Sequence, residues 1–142
     1  MTARSTRSRL ALAAVAAAIA SLAACGRQET PDAPALSGAA LGEQEYRACA
    51  ICHASAPPGT PAGDMRLVGP SLWGVYGQPA ARLDGYAYTK AMREADIVWD
   101  EATLDAFIAN PQAVVRGTRM SYAGEPDPET RAAIIAYLKT LQ

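Results

Sequence analysis

The chain is poor in the residues that most often bind metals. Its 142 residues include one histidine, His53, and three cysteines. A structural zinc site takes four Cys or His ligands. Beyond Cys49, Cys52 and His53 only Cys25 is left, and that residue has a different reading below. A thioredoxin-like redox pair would need a βαβ pattern around it, yet no run of alternating apolar and polar residues is long enough to make a strand. Basic residues are not in excess either. The formal net charge is −1, which removes the electrostatic footprint of a nucleic-acid binder. The longest uncharged apolar run, Leu10 to Leu22, falls short of the roughly 20 residues that cross a bilayer. No internal repeat is present.

What is present centres on Cys49-Ala50-Ile51-Cys52-His53. Cys-x-x-Cys-His is the pattern that attaches a c-type haem. Each thiol forms a thioether with one vinyl group, and the histidine that follows offers a ring nitrogen to the iron. The motif occurs once, so one haem c is expected, covalently bound through Cys49 and Cys52.

Residues 1–24 read as an export signal. Arg4, Arg7 and Arg9 make a positive start, and the Ala-rich run follows. Leu22-Ala23-Ala24-Cys25-Gly26 resembles the bacterial lipoprotein signal, in which cleavage leaves Cys25 first in the mature chain with lipid on its thiol. Ordinary cleavage after Ala23 would instead leave a stray thiol. Export puts Cys49 and Cys52 on the periplasmic side of a bacterial membrane. Without residues 1–24 the chain has ten basic and fourteen acidic residues, a charge of −4. Membrane contact is therefore expected through the Cys25 lipid, not through the protein surface. Residues 25–37, with Pro31 and Pro34, read as a flexible tether, and residues 38–142 as one domain.

Within that domain the pattern predicts helices and loops. Ser37 is placed to cap a first helix running to about Cys52, and Gly42 inside it suggests a close helix crossing. Pro57, Pro58, Gly59, Pro61 and Gly63 make residues 54–64 a loop. Thr89 caps a short helix through about Ala95. Asp100 caps another, carrying Leu104, Phe107 and Ile108, which stops ahead of Pro111. Residues 112–124 read as irregular. Asp127-Pro128 is a cap with Pro at the first helical position. It opens a last helix whose apolar stripe is Ile134, Ile135, Tyr137, Leu138 and Leu141. Loops this long usually wrap a function, and a buried haem would supply the core that such short helices lack.

Three further blocks carry a resemblance. The first is Gly69-Pro70-Ser71-Leu72-Trp73-Gly74 with Gly85-Tyr86-Ala87-Tyr88-Thr89. The second is Val98-Trp99-Asp100-Glu101 through Asn110-Pro111 to Gly117-Thr118-Arg119-Met120. The third is Arg131-Ala132 with Ile135-Ala136-Tyr137-Leu138-Lys139. With Cys49 to His53 they make residues 38–142 resemble the class I c-type cytochromes of mitochondria and bacteria. The resemblance implies an all-α fold, a few helices and long loops around one haem. It implies His53 as the proximal iron ligand, its other ring nitrogen bonded to the Pro70 carbonyl, and Met120 as the distal ligand. It further implies Tyr86, Tyr88 and Trp99 as donors to a haem propionate, and Gly42 and Tyr46 packed against Ile134 and Tyr137. The residues favour Met120 on their own terms too. A single histidine rules out two in one chain. Met65 falls on the proximal side, between His53 and Pro70, and Met92 sits in a helical stretch and reads as core. Met120 sits in an irregular segment far enough along to reach the opposite face. The alternative is a sixth site left open or filled by water or Lys.

The chain departs from the family pattern at several points. Arg116 stands where a Pro usually precedes the Gly-Thr-Lys-Met run, which should loosen the distal loop. Phe107 replaces the Tyr that would bond the Met sulfur. The loop from His53 to Pro70 is longer than in mitochondrial forms, and their docking ring of Lys is missing. Arg47, Arg66, Arg116 and Arg119 are left as a candidate basic patch. The implied function is that of a monomeric one-electron carrier, not an enzyme, cycling between ferrous and ferric iron. Its implied partners are redox proteins: a membrane electron donor and a terminal oxidase, reductase or dehydrogenase. The alternative is a peroxidase-like haem enzyme or gas-binding protein with a displaceable Met120.

Overall fold

The structure, a computed structural model, describes residues 36–142. The signal segment, most of the tether and Cys25 lie outside the described residues. Among the described residues six helices follow in order: α1 Gly38–Glu45, α2 Arg47–Ala50, α3 Lys90–Arg93, α4 Glu101–Ala109, α5 Pro111–Val114 and α6 Pro128–Leu138. Among the described residues there is no strand, only an isolated bridge between Pro79 and Val98, so the all-α expectation holds. No helix among them is long and apolar enough to cross a membrane.

Side-chain caps set most of the helix starts, because the first N–H groups of a helix have no partner within it. Asp127 accepts from the backbone N–H of Glu129 and Thr130 at the start of α6, with Pro128 at N1. Asp100 accepts from the Thr103 N–H at 2.8 Å, and Thr89 from the Met92 N–H at 3.1 Å. Ser37 departs from this pattern. It occupies the N-cap position of α1 in extended backbone, but its side chain makes no capping bond. The first helix also departs from a single rod to Cys52. It breaks at Tyr46 into α1 and α2, although helical bonding persists from the Tyr46 N–H to the Gly42 carbonyl at 2.8 Å and from the His53 N–H to the Cys49 carbonyl at 2.9 Å. The irregular stretch expected from residue 112 holds one more helix, α5. Asn110 caps it by accepting from the Ala113 N–H at 3.1 Å, and Pro111 fills N1.

Two contacts organise the packing. Where α1 crosses α6, a Cβ on Gly42 would lie 1.9 Å from the Ala133 carbonyl oxygen and 2.8 Å from Tyr137 Cβ. Only a residue without a side chain lets the two backbones come that close. The crossing therefore seats Gly42 on the Ala133 carbonyl and Tyr137, and Tyr46 shares a buried cluster with Ile134. One turn on, the rings of Tyr46 and Tyr137 lie 5.1 Å apart, tilted. Behind the crossing, Leu104, Phe107, Ile108, Ile134, Ile135 and Leu138 are buried in one apolar cluster. The long loops between α2 and α3 and between α5 and α6 close over the open side of that cluster and leave a cavity.

Candidate haem-binding site

The cavity measures about 700 Å³, well inside the range of about 300–1,000 Å³ for sites that hold a sizeable ligand. Its wall includes every described residue singled out from sequence for cofactor binding: Cys49, Cys52, His53, Pro70, Tyr86, Tyr88, Trp99 and Met120. The structure thus brings together residues spread over seventy positions of the chain.

The end of α2 and the turn after it present the attachment motif. His53 Nδ1 donates to the Pro70 carbonyl at 2.7 Å. A carbonyl can only accept, so the ring proton sits on Nδ1 and Nε2 keeps its lone pair for a metal. Burial pushes the imidazole pKa down, opposed by the Pro70 bond, and the net effect keeps the ring in its neutral, ligating form. Gly69 forms the floor beneath it. A Cβ there would lie 2.4 Å from His53 Cε1, and the Gly69 N–H donates to the Cys52 carbonyl at 2.8 Å. The Tyr46 hydroxyl donates to the His53 carbonyl at 3.1 Å. Burial, with Cys49 next to it, drives that hydroxyl far above its ordinary pKa, so it stays a donor. Cys49 and Cys52 are half-buried beside them.

Much of the remaining lining is apolar. Leu104, Phe107 and Ile108 come from α4, and Ile134 and Leu138 from α6. Phe107 packs on Trp99 with ring centroids 4.8 Å apart and offers no hydroxyl. Met120 is half-buried and lines the same cavity, and its backbone N–H bonds Thr118 Oγ1 at 3.3 Å. Met92, expected to be core, also lines the cavity from α3. Met65 is about half exposed (53%) and is not on the wall.

Among the polar groups of the lining are Tyr86, Tyr88, Trp99 and one residue that the sequence pattern did not single out. Arg82 reaches into the wall and donates to the Trp73 carbonyl and to the Ser71 carbonyl at 3.5 Å. Burial lowers its pKa while nearby Tyr88 raises it, and a guanidinium keeps its charge in proteins. Burial raises the Tyr88 hydroxyl, keeping it a donor. The Tyr86 hydroxyl proton goes to the Val68 carbonyl at 2.6 Å, so Tyr86 would have to leave that partner to donate to a propionate. Of the four arginines of the candidate patch, all exposed, Arg119 alone lines the cavity, and it donates to the Ala87 carbonyl.

These features fit a haem and not a bare ion. Among the described residues no three His, Cys, Asp or Glu side chains converge as a metal cage. Instead, two thiols and one free imidazole nitrogen border a slot walled by carbon, with cationic and hydroxyl donors to meet carboxylates. A covalent haem protein with an all-α frame is the class this site and fold define.

Known proteins narrow it further. The chain is 42% identical over 99 residues to cytochrome c2 of Rhodomicrobium vannielii, spanning 70% of this chain and 75% of that protein. It is 44% identical over 94 residues to cytochrome c2 of Rhodopila globiformis, spanning 66% and 83%. Among solved structures, cytochrome cH from Methylobacterium extorquens superposes with a TM-score of 0.64 at 38% identity, over 73% of this chain and 99% of that one. No family model matches the chain. The chain belongs to the class I c-type cytochromes. It holds one haem c through Cys49 and Cys52 and carries single electrons.

Proposed function

We propose that the iron is ligated by His53 and Met120, and that the protein is an exported electron carrier tethered by lipid at Cys25 on the periplasmic side of a bacterial membrane. The observation that carries the ligand assignment is that His53, with Nε2 unprotonated, and Met120 border the same carbon-walled cavity. When bound, the haem supplies reversible one-electron chemistry. The chain's own residues set its terms. Pro70 and Gly69 fix the orientation of the His53 ring, and the apolar wall keeps water out. A thioether ligand raises the potential, and so does a low-dielectric surrounding, which disfavours the extra charge of the ferric state. Arg82, Tyr88 and Trp99 are the groups placed to meet the propionates, which a buried carboxylate requires.

Two permanent ligands leave no position for a substrate, so the protein is read as a carrier and not a catalyst. Exposed Ala48, Val68, Ala87 and Ser121 also border the cavity, so its mouth opens there. A redox partner would dock at that mouth through a small, transient interface. Such partners are a membrane electron donor and a terminal oxidase, reductase or dehydrogenase.

Met92 on the same wall favours a second reading in which it, not Met120, binds the iron. The ferric absorption spectrum separates the two. Met120→Ala should abolish the sulfur-to-iron band, lower the potential and let carbon monoxide bind the ferrous protein promptly at neutral pH, while Met92→Ala should keep the band. The reverse pattern would assign Met92. For the anchor, Cys25→Ser should move the protein from the membrane to the soluble fraction, and unchanged partition would refute lipidation.

A further inference from the structure

Gln112 grips the loop that carries Met120. It is the second residue of α5, and its side-chain amide turns toward the chain ahead. Oε1 accepts from the Gly117 N–H at 3.1 Å, and Nε2 donates to the Thr118 carbonyl at 2.8 Å. One planar amide thus takes both a donor and an acceptor from consecutive residues. Thr118 is buried at 9% exposure, and its Oγ1 accepts from the Met120 N–H at 3.3 Å. A continuous line of bonds runs from Gln112 through Thr118 to Met120.

The loop needs such a hold. Gly117 turns the chain at φ +94°, in the left-handed region that favours glycine, and the Thr118 N–H returns to the Val115 carbonyl at 3.0 Å. Arg116 occupies the position where relatives of this class usually place a proline, so the restraint of a fixed φ is missing. The Gln112 amide restrains the same segment from the side.

We propose that Gln112 is a positioning residue for the iron ligand Met120, replacing the restraint that the missing proline would supply. The proposal rests on the reading of Met120 as the ligand. The experiment uses the haem-loaded protein and follows the ferric sulfur-to-iron band while imidazole is titrated in to displace the methionine. Gln112→Ala should weaken the band and raise the apparent affinity for imidazole about tenfold, as expected for two hydrogen bonds of ordinary strength. Gln112→Glu should shift both in the same direction, because a carboxylate can still accept from Gly117 but cannot donate to the Thr118 carbonyl. If Gln112 only supported α5, the glutamate variant would match the wild type, since an acidic side chain suits a helix's first turn.

Wild-type imidazole affinity in both variants would overturn the proposal. So would failure of both to fold around the haem, because a positioning residue is dispensable for folding. If only the alanine variant fails to fold, the glutamate variant decides. If Met120→Ala leaves the ferric band intact, the ligand reading itself has failed. If Met120→Ala abolishes the band while both Gln112 variants behave as wild type, only the positioning role has failed.

Discussion

Replacing Gly42 with alanine tests the crossing of α1 and α6 through the sign of its effect. On a solvent-facing helix the change would stabilise, since glycine in a helix interior costs about 0.8–1.0 kcal/mol relative to alanine. Here the added methyl would meet the Ala133 carbonyl oxygen at 1.9 Å and Tyr137 Cβ at 2.8 Å. Optimal non-bonded separations are about 3.5–4.0 Å, so the helices would have to move apart. Overpacking of this kind typically costs about 1–3 kcal/mol. The upper end applies, because the obstacle is backbone and cannot rotate away. Set against the propensity gain, the net loss is about 2 kcal/mol, which for a domain of this size lowers the Tm by roughly 8–16 °C. Thermal or guanidinium unfolding of the haem-loaded protein, followed by far-ultraviolet circular dichroism, reads this directly. The double variant with Ala133→Gly should be no better, because trimming a side chain leaves the carbonyl in place. A midpoint equal to or above the wild type's would refute the close crossing, and rescue by Ala133→Gly would relocate the clash to a side chain.

Tyr46→Phe removes the hydroxyl that bonds the His53 carbonyl and should cost about 1 kcal/mol. An unchanged unfolding midpoint would show that the bond contributes nothing. Asp100 and Asp127 are held below the usual carboxylate range by bonds from Thr103 and from Thr130. A depressed folded pKa gives stability that is present above the unfolded value, about 3.9, and lost as pH falls through the folded one. The double variant Asp100→Asn, Asp127→Asn keeps capping oxygens without the charge, so its unfolding midpoint should fall less steeply with acid. A slope identical to the wild type's would exclude the caps as a source.

Local chemistry explains what could be read in advance. Asp127-Pro128 announced α6 because a capping carboxylate followed by a fixed φ has few other uses. Asn110-Pro111 is the same signal, but it also marks the end of α4, and reading it as a stop hid α5 as a start. Ser37 held the position of a cap without the bond, since a hydroxyl can as easily face water. Cys49 to His53 was legible because its spacing is uncommon, Met120 was singled out by elimination among the methionines, and Pro70 entered only through the family resemblance. Arg82 and Gln112 were not, because their partners are the carbonyls of Ser71, Trp73 and Thr118 and the N–H of Gly117, and backbone groups leave no trace in a residue pattern. Met92 shows the remaining ambiguity. A side chain on a short helix can face packed neighbours or a cofactor slot, and its spacing is the same in both cases.

The Gly42 crossing also bears on the order in which the molecule is made. The segment from α1 through Cys49 to His53 leaves the ribosome early, whereas α6, the eleven residues on which α1 rests, follows about seventy-five residues later. Closing so long a span costs about 4 kcal/mol of chain entropy by the loop-length relation, and α1 is too short to hold its shape alone. A nick or premature stop ahead of Pro128 would therefore release the attachment turn from the far end of the sequence, with every thiol and imidazole still in the chain but nothing left to hold them in register.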